Sequence, residues 1–290
     1  MAINKIKKWY LVFFILVVLV FILNFIMGFF IPPIKIYRFS FFNNVIWDTL
    51  LFFILYILSP FLGYGLTYIV SPLFLRLHKF IFRKKHQYGI EDRPNNKDLK
   101  FNFIRLFFPA LLTINLALIL SKLDVIRELI IEPSIIENAD DIIITMMVMI
   151  PLMGICAVIS IVLFSAIYFL IDTGIIFTNK KYIENRPINT KVQSIGSWFL
   201  YILKGYSGIS IILVFYEFYA NIFYSVDLID PITVFGIIIL WPMMPFLITG
   251  VFIPLLPLLQ RNFENRKQSL LKKARKMGIT SYFEVIIKES

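Results

Sequence analysis

Residues 142–170 read IIITMMVMIPLMGICAVISIVLFSAIYFL, a stretch of 29 positions without a charged side chain. A helix packed on a soluble core shows an apolar stripe returning every three to four residues, with polar residues between. This stretch has no polar face to turn to water. At about 1.5 Å rise per residue it is long enough to cross a hydrocarbon layer roughly 30 Å thick. Pro151 lies inside it and removes one backbone hydrogen bond, which favours a kink.

Five further runs of the same kind flank it, at about 10–30, 45–70, 103–120, 195–220 and 232–259. Pro60, Gly63 and Gly65 fall in the later half of the second, and Pro242, Pro245, Pro254 and Pro257 make the last the one most prone to break. Of the 290 residues, 59% are hydrophobic and 31 are Phe, more apolar surface than one soluble core of this size can hold. The reading is an all-α, polytopic helical membrane bundle of about six transmembrane helices. Residues 1–259 form the membrane domain and 260–290 a tail. The first run follows Lys5, Lys7 and Lys8 and is about 22 residues long, longer than the roughly 7–15 of a signal peptide, so it reads as a retained span.

The distribution of Lys and Arg orients the bundle, because short loops rich in them stay cytoplasmic. The N-terminal tail has three basic residues, residues 71–105 have nine, 178–195 have four and 260–290 have eight, so these segments hold 24 of the 29. The alternate loops hold acids: 121–142 has six acidic residues against two basic, and 224–231 has Asp227 and Asp230 with no basic residue. Both termini are therefore placed on the cytoplasmic side of what is read as the cell membrane. Only Lys35 and Arg38, in the first outer loop, run against this pattern. The net charge of +11 is then chiefly a topology signal with an attraction to anionic lipid headgroups, not the footprint of a nucleic-acid surface.

Two cytoplasmic stretches carry that basic surface. In the loop 71–102, Arg76, Lys79, Arg83, Lys84 and Lys85 alternate with Leu73, Leu77, Phe80 and Ile81 at helical spacing, which predicts a short interfacial helix. From 263 to 277, Phe263, Leu270, Leu271, Ala274 and Met277 share one face, while Arg266, Lys267, Lys272, Lys273, Arg275 and Lys276 fall largely on the others, with Gly278 as a stop. This basic amphipathic tail helix is expected either to lie on the bilayer or to dock a membrane or cytoplasmic partner. Homo-oligomerisation is the further alternative.

Several chemistries are excluded by residue supply. Cys156 is the only cysteine, which rules out an intrachain disulfide or a thiolate cluster. His78 and His86 are the only histidines and lie eight apart in the basic stretch, not at metal-ligand spacing, so no metal and no cofactor is expected. Gly205-Tyr206-Ser207-Gly208 resembles the nucleophile motif of rhomboid intramembrane proteases, which implies a serine served by a histidine from a later span. Neither histidine follows Ser207, so the motif lacks its base and no catalytic residue is assigned. The acidic outer loop 121–141 lacks a calcium-loop pattern and reads as solvated.

Charges at membrane depth are costly and often functional. Lys204 lies nine residues into the fifth span, and Asp172 ends the fourth on the same side, so Lys204 is read as snorkelling to the interface by itself, with an ion pair to Asp172 as the specific alternative. Asp48 and Glu217, near the outer ends of their spans, are read as solvated at the interface, with a shared outer vestibule as the alternative. Asn24, Asn115 and Ser207 are expected to make interhelical contacts. Two function classes follow: the favoured one is a transport-type or channel-type membrane component, which needs polar residues converging on a cavity, and the alternative is a non-catalytic scaffold or subunit, which needs a lipid-atypical apolar face.

Overall fold

The computed structural model describes residues 35–82, 84–90, 103–138, 141–179, 192–225, 248–253 and 263–279, with six single positions between 15 and 30. Asn24, Arg83, most of the first and sixth expected spans and the side chain of Glu217 lie outside the described residues. The chain is mostly helical.

Helix α1, Val45–Phe82, begins where Asn43 takes φ 49° and Asn44 follows as its cap: the Asn44 side-chain oxygen accepts from the Ile46 amide at 2.9 Å. Its 38 residues span about 57 Å at 1.5 Å per residue, nearly twice the hydrocarbon thickness of roughly 30 Å. The stretch read as a separate interfacial helix is therefore the continuation of the second span through Pro72. After α1 come β1 (His86–Ile90), α2 (Phe103–Ser121), the short helices α3 (Asp124–Ile130) and α4 (Pro133–Ile136), and α5 (Asp141–Asp172). Next are β2 (Ile175–Asn179), β3 (Gln193–Ser194), α6 (Ile195–Ser225) and α7 (Phe263–Lys276). Helix α1 and the Met147–Asp172 part of α5 are long and apolar enough to cross a membrane, and the pair α2–α3, bent by 89°, adds a third if taken as one broken span.

Helices α1 and α5 run side by side in the same direction: Gly154 meets the backbone at Leu55 and Tyr56, and further along Gly63 meets Ile161 and Val158. A Cβ on Gly63 would stand 2.7 Å from the Ile161 side chain, so glycine is what lets the helices approach this closely. Inside the bundle, hydroxyls turn back on their own helices. Thr67 donates to Gly63 O, Ser71 to Thr67 O and Thr113 to Pro109 O, each at 2.8 Å.

The two ends of the bundle are built differently. At one, β1, β2 and β3 form an antiparallel sheet in the order β1-β2-β3, with Tyr88 opposite Phe177 and Ile176 opposite Ser194. The sheet packs with α1, α5, α6 and α7 into one core that includes Leu75, Phe177, Ile195, Leu270 and Ile279. At the other end, residues 35–38 lie along α3 and α4: Tyr37 bridges Ile131, the Arg38 amide donates to Ile130 O at 2.9 Å, and Lys35 pairs with Glu132 at 2.8 Å. The acidic loop is thus helical and anchored. Arg127 ties it down by donating to Ser121 O at 2.7 Å and Thr145 Oγ1 at 2.9 Å.

Candidate functional site

The polar and cationic groups concentrate at the sheet end, and the chain sorts them into three surroundings. The first is an aromatic cage. His78, on the last turns of α1, is fully buried, with its ring centroid 4.5 Å from Phe177, 4.8 Å from Phe82 and 5.2 Å from Trp198. Its Nδ1 lies 3.0 Å from the Tyr88 hydroxyl, which itself donates to the His78 carbonyl at 3.2 Å. The Tyr88 hydroxyl thus touches both the ring and the backbone of His78. Burial pushes the Tyr88 phenol up to about 12. His78 thus locks the end of α1 to β1; it does not belong to the exposed basic stretch where its sequence neighbours placed it.

The second surrounding belongs to Arg266 of α7. Its side chain is only 3% exposed, and its guanidinium carbon stands 4.0 Å from the Tyr68 ring centre, 4.6 Å from Tyr64 and 4.8 Å from Phe169. Burial lowers its pKa, while the two tyrosines act in the opposite direction. Three ring faces stabilise the cation, and among the described residues no carboxylate does. Arg266 therefore leaves the basic surface assigned to it. The signal was present: positions 266, 270 and 274 recur at four-residue spacing, and Leu270 and Ala274 are buried with it. Helix α7 accordingly rests its apolar face on its own chain. It ends at Gly278, with φ 79°, where the Gly278 amide donates to Arg275 O at 2.9 Å and Ile279 to Ala274 O at 3.1 Å.

The third surrounding is a groove of about 810 Å³ between the end of α1 and the end of α7. Arg76, Lys79, Lys84 and Lys85 line it, over Phe80 and Met277. The Lys79 ammonium donates to the Met277 carbonyl, which closes one side. On α7, Lys272, Lys273, Arg275 and Lys276 are exposed and Lys267 half-buried.

The remaining sequence candidates fall elsewhere. Asp172 does not make the alternative pair with Lys204. Arg105 of α2 takes it in a two-pronged ion pair, NH1 to Oδ2 at 2.8 Å and NH2 to Oδ1 at 3.2 Å, with the Tyr168 ring 5.0 Å from the guanidinium. Lys204 sits instead with its ammonium 4.7 Å from the Phe108 ring centre. The fork of an arginine fits a carboxylate at two points, whereas lysine offers one. In the sequence Arg105 is a charge just inside the third span, at the end of the basic segment 71–105. Asp48 is buried and faces no vestibule: it accepts from the Phe41 amide at 2.9 Å, the Phe42 amide at 3.3 Å and the Ser40 hydroxyl, winding that loop onto the start of α1. Asn115 and Ser207 are buried, and among the described residues Asn115 Nδ2 and Ser207 Oγ make no hydrogen bond. Among the described residues no cluster of three His, Cys, Asp or Glu side chains has metal-site geometry.

Comparison with protein-family models, curated proteins and solved structures returns no match, so the functional reading rests on this geometry alone.

Proposed function

We propose that this chain is a six-span protein of the cell membrane, with both termini cytoplasmic, that acts as a non-catalytic scaffold or subunit of a larger membrane assembly. The observation that carries the role is the outward face of α6. Tyr201 and Tyr216 are 72% and 74% exposed beside Ile209 and Ile212, and among the described residues nothing lies within 4 Å of a Cβ built on Gly205 or Gly208. Hydrocarbon offers a tyrosine hydroxyl no hydrogen bond, whereas a neighbouring helix does, and paired glycines admit such a helix to close range. The topology draws support from the two ends of the bundle. The basic segments 71–90 and 263–279 meet at the sheet end, and the acidic segment 121–138 caps the opposite one.

A second reading, a transport-type or channel-type component, draws on the buried polar atoms of Ser59, Asn115, Ser160 and Ser207, which lack hydrogen-bond partners among the described residues and would suit a solvated path. Purification from native membranes in mild detergent, with the mass of the intact complex, separates the two. A stoichiometric partner that is lost with Gly205→Leu supports the subunit reading. A chain recovered alone or only with copies of itself, and conducting solute in liposomes, overturns it. Single cysteines at Glu137 and Asn265 test the topology, because the native Cys156 is buried: labelling of position 137 from outside and of 265 only from the cytoplasm is expected.

A further inference from the structure

We infer that the groove between α1 and α7 is a binding site for the phosphate headgroup of an anionic lipid. Four cations, Arg76, Lys79, Lys84 and Lys85, face one space, and among the described residues no carboxylate lines it. Lys79 is held by the Met277 carbonyl, while Arg76, Lys84 and Lys85 form no ion pair among the described residues. Such a set attracts an anion of more than one oxygen, and phosphate is the group that several ammonium and guanidinium donors can share. Free phosphate would also satisfy this, but the floor of the groove argues for a lipid. Phe80 is 86% exposed there and lies one turn beyond Arg76 on the same helix.

The exposed side chains of Leu66, Ile69, Leu73, Leu77 and Phe80 then run back along α1 at spacings of three and four, a continuous apolar stripe leading from the groove toward the bilayer. An acyl chain laid on that stripe carries its headgroup to the cations. A soluble anion would have no use for it. This is a defined site, distinct from the diffuse attraction of a basic surface, because its cations converge on one space while Lys272 and Lys273 of α7 lie outside it.

The inference rests on α1 being a membrane-spanning helix. Failure of that premise would appear separately, as a chain recovered without membranes or detergent. The test uses the full chain purified in detergent and titrated with phosphatidylglycerol, phosphatidylcholine, glycerol 1-phosphate and inorganic phosphate, with bound molecules counted by native mass spectrometry. Saturable binding of one phosphatidylglycerol is expected, with phosphatidylcholine and the two soluble phosphates at least about 100-fold weaker, the latter for want of the chain's apolar contact. Arg76→Gln with Lys84→Gln should weaken phosphatidylglycerol binding about 30-fold, which is about 2 kcal/mol at 1.4 kcal/mol per decade and about 1 kcal/mol per cation. Lys272→Gln with Lys273→Gln removes the same charge and should change binding less than about 3-fold. Equal losses in the two double variants, equal retention of phosphatidylcholine, or inorganic phosphate binding as tightly as the lipid would each overturn the site. Should Arg76→Gln fail to fold, the Lys84→Gln, Lys85→Gln pair beyond the helix end gives the same comparison.

Discussion

Replacing Asp172 by Asn removes the carboxylate that Arg105 grips but leaves the guanidinium in place. The Asp172 side chain is 7% exposed and that of Arg105 25%, so the pair is mostly, not wholly, withdrawn from water. With charge centres about 4 Å apart and an effective dielectric of about 20, the attraction is about 4 kcal/mol. Part of this offsets the desolvation of two ions, and the partial exposure of Arg105 reduces it further, leaving a net coupling of about 2 kcal/mol. Asp172→Asn and Arg105→Met should each cost about 3 kcal/mol, since each strands the other charge. The double variant should cost about 4 kcal/mol, less than the two losses combined by the coupling.

The assay is reversible unfolding in mixed micelles, followed by tryptophan fluorescence. A second cycle, Asp172→Asn with Lys204→Met, is the control. Lys204 rests on the Phe108 ring at 4.7 Å, which is worth about 0.5–1 kcal/mol, and its loss should add to that of Asp172. Additivity within about 0.5 kcal/mol in the Arg105 cycle, or a coupling of about 2 kcal/mol in the Lys204 cycle, would refute the pairing.

Three other outcomes follow from the packing. Gly196→Ala should cost more than about 3 kcal/mol or prevent accumulation, because its Cβ would fall 2.5 Å from Ile167 O and 2.7 Å from the Ile171 amide nitrogen, backbone atoms of α5 that cannot yield; Gly205→Ala, with no atom of the described residues within 4 Å, should cost nothing and gain up to about 1 kcal/mol of helix propensity. Truncating Arg266 to Ala removes a large buried side chain and should cost about 3 kcal/mol, read as roughly 100-fold faster hydrogen exchange in 263–279, and unchanged exchange would show that the ring contacts do not hold α7. The Tyr88 phenol, raised from 10.0 to about 12 by burial, favours folding only while protonated, so its contribution is full below pH 10 and lost as pH rises through 12. Wild type should therefore lose more stability over that window than Tyr88→Phe does, and parallel losses would contradict it.

Hydropathy reads length and apolarity, and α1 and α5 fall where it finds long apolar runs. It does not read where such a helix stops. Helix α1 passes its expected end because Leu73, Leu77 and Phe80 continue at helical spacing, and Ser71-Pro72, which reads as a stop, is carried inside the helix. The sheet was invisible for another reason. HQYGI and IIFTN are short, and their partnership depends on a register linking His86 to Asn179, nearly a hundred positions away. Asp172 and Lys204 were matched by depth alone. Depth along a helix axis leaves the azimuth free, and it is the azimuth that turns Asp172 toward α2 and Arg105.

The missed contacts share one physical cause. A chain with net charge +11 has too few acids near its basic end to neutralise every cation that packing withdraws from water. Ring faces take their place: Arg266 lies on Tyr64, Tyr68 and Phe169, Lys204 on Phe108, and even the ion-paired Arg105 has Tyr168 beside it. Aromatic residues make up 17% of this sequence, and read as lipid-facing bulk they carry no information about charge. Read as acceptors for cations, they separate the two populations of Lys and Arg at this end. Cations within about 5 Å of a ring centre are part of the fold, and replacing them should be felt as instability. Those that converge on the groove with no acid beside them are the ones left to bind an anion, and replacing them should alter lipid selectivity while leaving the fold intact.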